Sequence, residues 1–419
     1  MPNHPSTLDL SRFVAIGDSI TAGYADGALH YSGQLTTYAN LIAKQCRTAL
    51  FNQPLTNPQS VGIGFSGRSR LVLTSGKNPE GKKFSVLSYE AQNGDLKMFS
   101  ENIYATQGPF HNMAVPGAKT GHLIYPGYGN PDTGAGNYNP FFTRMASDPV
   151  KTSVLADIMA LDPTFFTLFI GNNDVLAYAM SGGTTDAITP VKSKAGEDFS
   201  ETHRYIVEML TAKGAKGILA TLPDLMSIPF FNTIPYNGLS LNKKEAELLT
   251  GIYRSDALNF KPGKSNPFVI EDRVQGKAVI RKAESEDLIL CEIMSDNQRE
   301  EYLKGFAPIP KKYTLTRSQA LSIEEAVGQY NTAIQALAKE KNLGCVNINH
   351  LLKHLKADRA YIPETRSIYY KETGVFSLDG IHINALGQAL LANEFIKTIH
   401  RTYDLKLSRV PLVKFRKKQ

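Results

Sequence analysis

Five short strand candidates recur along the chain. They are Phe13–Ile16, Phe110–Ala114, Thr164–Ile170, Gly217–Thr221 and Gly344–Ile348. The continuous apolar stretch Phe165–Ile170 is of the kind buried on both faces in a parallel sheet. Stretches with helical apolar spacing follow several of the strand candidates: Gln34–Ala49, Phe199–Lys213, Ser322–Lys341 and Leu386–Arg401. The last of these keeps its Leu, Ala, Phe and Ile positions on one helical face. Strands alternating with helices predict an α/β fold around a parallel sheet. In such sheets ligands bind outside the carboxyl ends of the strands.

Two long stretches break the alternation. Residues 50–105 are polar and Gly-rich and predict a loop-rich insertion. Residues 226–317 carry the turn signals Pro-Tyr-Asn-Gly, Lys-Pro-Gly-Lys and Pro-Ile-Pro around short apolar segments such as Pro267–Ile270 and Leu288–Ile293. That pattern predicts a small packed unit, a lid or side subdomain over the strand ends. Asn130–Asn139 reads as a surface loop. The chain shows no internal repeat and no low-complexity tract.

The ends of the predicted strands carry the candidate chemistry. Ser19 follows the first run in Gly17-Asp18-Ser19-Ile20, where a turn presents a hydroxyl as a nucleophile. Asp379 and His382 form a D-x-x-H pair, which puts carboxylate and imidazole on one face of a turn. The imidazole can take the Ser19 proton while the carboxylate fixes its tautomer. Acyl transfer also needs donors aimed at the developing oxyanion. Gly117, closing Asn112-Met-Ala-Val-Pro-Gly, offers a closely approachable backbone N–H. Asn173, in Gly171-Asn172-Asn173-Asp174, offers a side-chain amide. Asn172, Val175 and Tyr178 are candidate substrate-binding residues lining the pocket. Asp18 is expected to bond its own turn, and Asp174 to bond the loop beneath the site.

In this order the four segments resemble the SGNH, or GDSL, hydrolase superfamily. Its blocks carry in turn a Ser, a Gly, G-x-N-D and D-x-x-H, and these fall here on Ser19, Gly117, Asn173 and His382, with Asp379 as the third triad member. The first block reads Gly-Asp-Ser-Ile, with Ile where the family usually has Leu. The text around Thr21–Gly27 and Phe376–His382 is similar to that of longer bacterial members. The resemblance implies a flavodoxin-like three-layer sandwich with a five-stranded parallel sheet in the order 2-1-3-4-5. It implies one hydrolase domain over residues 1–419 that carries both insertions. It also implies a serine ester hydrolase, either an esterase or lipase or a carbohydrate esterase. That enzyme would work through an acyl-enzyme, with Ser19, Gly117 and Asn173 as oxyanion donors and with no cofactor or metal. The substrate would be a small-molecule, carbohydrate or lipid ester.

Composition narrows the alternatives. The chain has 419 residues and a net charge of +7, part of it in the tail Lys414–Lys418, which reads as a solvated terminus. No apolar run reaches the ~20 residues of a membrane span. The first residues lack a charged-then-apolar signal pattern. The expectation is a cytoplasmic protein if this N-terminus is native, and a periplasmic or secreted one if an export signal was removed. Cys46, Cys291 and Cys345 are scattered, without metal or disulfide spacing. His350 and His354 lie four apart but lack an acidic or Cys partner, and His111 and His122 read as ordinary loop histidines. Gly62-Ile-Gly64-Phe65-Ser66-Gly67 fits G-x-G-x-x-G but has neither the preceding strand nor the following helix of a dinucleotide site. No basic, aromatic groove for nucleic acid is apparent. Two rival readings stay open at this point. One is a non-catalytic binding protein on the same fold. The other is a flavodoxin-like nucleotide binder, for which Gly17–Gly23 would be a poor phosphate loop.

Overall fold

Four of the five expected strands form and pair in one parallel sheet. The structure is a computed structural model that describes residues 8–46, 50–77, 83–134, 136–185, 187–193, 198–255, 258–353, 359–363, 366–370 and 374–415. Strands β1 (Phe13–Gly17), β2 (Phe165–Phe169), β3 (Lys216–Ala220) and β4 (Gly344–Val346) form one parallel sheet in that order. Phe13 pairs with Phe165, Phe165 with Lys216, and Gly344 with Ile218. Every residue of β1 and β2 is buried, which is why neither shows a polar alternation in the sequence.

The expected strand at Phe110–Ala114 is reduced to a single parallel bridge, Asn112 to Ala15, so the main sheet has four strands and not five. The segment still follows the free edge of β1, with Ala15 N–H donating to His111 O (2.8 Å) and Met113 N–H to Ala15 O (2.9 Å). Pro109 and Pro116 bound it and supply no N–H. Asn112 Oδ1 also takes the Ala114 N–H (3.3 Å), on the side away from β1.

Four helices cover the sheet: α1 (Tyr38–Cys46), α2 (Phe199–Thr211), α3 (Arg317–Glu340) and α4 (Ala385–Tyr403). They pair through stacked rings, Tyr38 on Phe395 at 4.6 Å and Phe199 on Tyr330 at 4.1 Å. The predicted helix over Gln34–Ala49 is split. Tyr31–Leu35 ends before Thr37, whose Oγ1 accepts the Asn40 N–H (3.2 Å) and starts α1, and residues 47–49 lie outside the described residues. Helix α3 begins earlier than predicted because Thr316 and Gln319 form a capping box. Asn384 caps α4 by accepting from Leu386 and Gly387 N–H groups.

Residues 226–317 enclose a hydrophobic cluster of their own, including Leu239, Leu249, Phe268, Ile270, Ile289 and Ile309. The hairpin Arg359–Ile362/Ser367–Tyr370 adds Tyr361 to that cluster, although it lies beyond α3 and β4 in the chain. The stretch 50–105, expected to be loop-rich, contains the antiparallel hairpin Leu71–Lys77/Lys83–Tyr89. No helix among the described residues is long and apolar enough to cross a membrane. His354 and residues 416–419, which include the end of the basic tail, lie outside the described residues.

Candidate active site

The turn after β1 is tight because nothing larger than Gly fits at its start. A Cβ on Gly17 would lie 2.5 Å from Phe169 O. Asp18 then caps the single helical turn Ser19–Ala22 by accepting the Ile20 N–H (3.2 Å). Its other oxygen accepts from Asn172 Nδ2 (2.8 Å), which ties the turn after β1 to the turn after β2. Asp18 is fully buried. Burial pushes its carboxyl up to about 6, against the lowering pull of the Asn172 and Ile20 hydrogen bonds.

That shift makes a prediction. The folded-state pKa of Asp18 lies above the unfolded value near 3.9. The contribution of Asp18 to stability is therefore full below about pH 4 and is lost as the pH rises through about 6. Asp18→Asn abolishes that loss, and Asn172 has a buried, unpartnered Oδ1 with which to pair the new amide. Thermal unfolding should show the variant gaining on the wild type by about 2–3 kcal/mol between pH 4 and pH 8. A difference that is the same at both pH values would mean that Asp18 titrates alike in the folded and unfolded chain.

Ser19 and His382 are brought together from opposite ends of the sequence. Ser19 Oγ is 2.8 Å from His382 Nε2, and His382 Nδ1 is 2.9 Å from Asp379 Oδ2. Asp379 Oδ1 accepts from the N–H groups of Ile381 and His382 and from the Ser377 hydroxyl, each at 2.9 Å. Its Oδ2 also accepts the Gly27 N–H at 2.9 Å. Burial alone would raise the Asp379 carboxyl, but the His382 charge and these hydrogen bonds outweigh it and hold the group below the ordinary carboxylate range. The Tyr24 ring lies on His382, with centroids 4.8 Å apart.

Gly117 has φ +78°, a left-handed conformation that suits Gly. Among the described residues no protein acceptor meets the backbone N–H of Ser19 or of Gly117. Asn173 Nδ2 donates one hydrogen to Ala118 O (3.0 Å), next to Gly117, and keeps a second for another acceptor. Asp174 holds the same segment from below. Its Oδ2 accepts from Thr120 N–H (2.8 Å) and Thr120 Oγ1 (2.9 Å), and burial raises its pKa despite those bonds.

The other expected pocket residues have these surroundings. Asn172 is spent on Asp18, Val175 is packed in the core, and Tyr178 lies half-buried against Gly183. His111 Nδ1 accepts the Asn52 N–H (3.2 Å) and His122 Nδ1 the Lys119 N–H (3.1 Å), and burial lowers both imidazoles. No group of three metal-binding side chains occurs among the described residues.

Several residues around the site have no role assigned from the sequence, although Asp26 and Gly27 fall in the stretch Thr21–Gly27. Asp26 Oδ1 accepts the Leu378 N–H (2.8 Å) and Asp26 N–H donates to Ser377 Oγ (3.0 Å), so the turn at Asp26–Gly27 braces the loop of Asp379. Asn139, read as part of a surface loop, is buried and donates to Pro116 O (2.8 Å), beside Gly117. A turn signal in the sequence marks Asp26–Gly27 but does not tell what the turn touches.

The described arrangement is a hydroxyl, an imidazole and a carboxylate in hydrogen-bonded series, with free N–H donors nearby. A family model described as GDSL-like lipase/acylhydrolase matches residues 13–395. No curated protein matches the chain in sequence. Among solved structures, the acetyl xylan esterase AlAXEase is 13% identical, with a TM-score of 0.31 over 91% of this chain and 96% of its own. A lipase/acylhydrolase from Enterococcus faecalis is 12% identical, with a TM-score of 0.33 over 96% of this chain and 99% of its own. An alpha/beta hydrolase enzyme, LAE5, from the metagenome of Lake Arreo, Spain, is 12% identical, with a TM-score of 0.33 over 93% of this chain and 94% of its own.

Proposed function

We propose that Ser19, His382 and Asp379 perform the ester hydrolysis of the GDSL-like lipase/acylhydrolase family, to which this chain belongs. The observation that carries the reading is the unbroken series from Ser19 Oγ through His382 (2.8 Å) to Asp379 (2.9 Å). His382 Nε2 takes the Ser19 proton as Oγ attacks the carbonyl carbon of a small-molecule ester. The oxyanion is held by the N–H groups of Ser19 and Gly117 and by the second hydrogen of Asn173 Nδ2. The imidazolium, steadied by the Asp379 carboxylate, gives its proton to the leaving alcohol. Water then repeats the sequence on the acyl-enzyme and returns the Ser19 hydroxyl. Asn172, Val175 and Tyr178 support this site from behind in our reading, rather than touching the ester.

The insertion at 226–317, expected as a lid or side subdomain, meets the loop of Asp379 and His382. Phe230 N–H donates to Gly380 O (3.0 Å). Arg359, from the hairpin that packs with the insertion, is buried and donates to Ser377 O (2.7 Å) and Leu378 O (3.2 Å). Its part in the reaction, on this reading, is to brace that loop as well as to border the entrance.

The test uses a fluorophosphonate and a panel of p-nitrophenyl esters beside acetylated xylan. Ser19 Oγ should bond phosphorus as fluoride leaves and the proton passes to His382, which adds one phosphonyl group to the intact mass. At least one ester should be cleaved without added metal. A chain that neither labels nor cleaves any ester of the panel would not be a serine ester hydrolase.

A further inference from the structure

We infer that Phe65 is a specificity-determining residue that seats the acyl chain of the ester on Ser19. The inference rests on the serine-hydrolase reading above. Phe65 belongs to the glycine motif 62–67, which lacks the strand–helix context of a dinucleotide site and builds a tight loop. Gly67 N–H donates to Gly64 O (2.9 Å) and Gly64 N–H to Arg68 O (2.8 Å), with Gly62 and Gly67 at φ +78° and +72°. The loop pushes the Phe65 side chain outward, where it is 57% exposed. An exposed Phe next to a reaction centre is an apolar surface waiting for an apolar partner.

Its surroundings say which part of the ester that partner is. A Cβ on Gly117 would lie 2.8 Å from Phe65 Cε1, so the ring lies against the oxyanion side of the site. Tyr24 stands between Phe65 and the imidazole, 5.4 Å from Phe65 and 4.8 Å from His382, centroid to centroid. The leaving alcohol points at His382 Nε2. The acyl carbon is one bond from the oxygen on Gly117, so the acyl chain is the part that starts beside Phe65. Phe141 packs edge-on against Phe65 at 5.3 Å and against Phe99 at 5.1 Å, which fixes the ring from beneath. Leu96, 56% exposed, lies against Gly67 at the far end of the same loop and extends the apolar strip away from Gly117. The strip suits an acyl chain of several carbons, and an acetyl group is too short to use it.

Two ester series separate this from other roles. In p-nitrophenyl esters the alcohol is constant and the acyl chain runs from acetyl to octanoyl. In acetate esters the acyl group is constant and the alcohol varies. Phe65→Ala should lower the octanoyl-to-acetyl ratio of kcat/KM about tenfold, while the ratios within the acetate series stay within about threefold of wild type. Phe65→Leu, which keeps an apolar but smaller side chain, should shift the acyl ratio in the same direction by less. It answers the question alone if Phe65→Ala does not fold. An unchanged acyl ratio in a variant whose Ser19 still takes the fluorophosphonate overturns the inference, as does a shift confined to the alcohol series. Absence of labelling in the wild-type chain overturns the hydrolase reading itself.

Discussion

Ester hydrolysis by Ser19→Ala is expected to fall by at least about a thousandfold, and by up to about a millionfold where the three side chains act as a unit. The hydroxyl is the only group of Ser19 that meets His382, at 2.8 Å, and an alanine offers no atom to attack a carbonyl. The fold should survive the change. The lost hydrogen bond is worth about 1 kcal/mol, and His382 stays held by Asp379 through both its ring and its backbone N–H. The measurement is kcat on the best p-nitrophenyl ester, with thermal unfolding as the control. A folded variant that keeps more than about a tenth of wild-type kcat would remove Ser19 from the nucleophile's role.

The sequence made the proposed reacting groups legible because their chemistry depends on local spacing. Ser19 directly follows an apolar run, and Asp379 and His382 share one turn, so their types and offsets are visible without any tertiary contact. The strands at β1 and β2 were legible for a related reason, since burial on both faces leaves a continuous apolar stretch. What supports the groups was not visible. Gly27 and Asp26 brace the Asp379 loop from more than 350 residues away, and a turn of Asp and Gly looks the same whether it faces water or a carboxylate. Asn139 sat in a polar stretch that predicts exposure, yet its amide is buried against Pro116 O. Phe65 sits inside a glycine motif that reads as an ordinary glycine-rich loop, which says nothing of what its one aromatic residue faces. The strand expected at Phe110–Ala114 is reduced to one bridge between Pro109 and Pro116, which supply no N–H, and an apolar count does not register that. Tyr361 joined the core of the insertion although no periodic pattern links the hairpin at 359–370 to residues 226–317.

Asp379→Asn should cost nearly as much activity as loss of the nucleophile, for a reason that lies in its five donors. Oδ1 accepts from Ile381 N–H, His382 N–H and Ser377 Oγ, while Oδ2 accepts from Gly27 N–H and pairs with His382 Nδ1. An amide has one acceptor oxygen, so its NH2 group must face at least two of these donors whichever way it turns. If the NH2 faces His382, the ring must present a bare Nδ1, its proton moves to Nε2, and no base is left for Ser19. The expected fall in kcat is roughly 10³–10⁴-fold, with KM little changed because Asp379 touches no substrate. Stability should fall as well. The folded pKa of Asp379 is depressed, so its stabilising contribution is present above the unfolded value near 3.9 and disappears only as the pH drops through the lower folded one. The variant should therefore unfold at a lower temperature than wild type at pH 7, with the gap closing in strong acid. The outcome that would sink this account is a folded Asp379→Asn chain within about tenfold of wild-type kcat, because the carboxylate would then have no part in setting the imidazole tautomer.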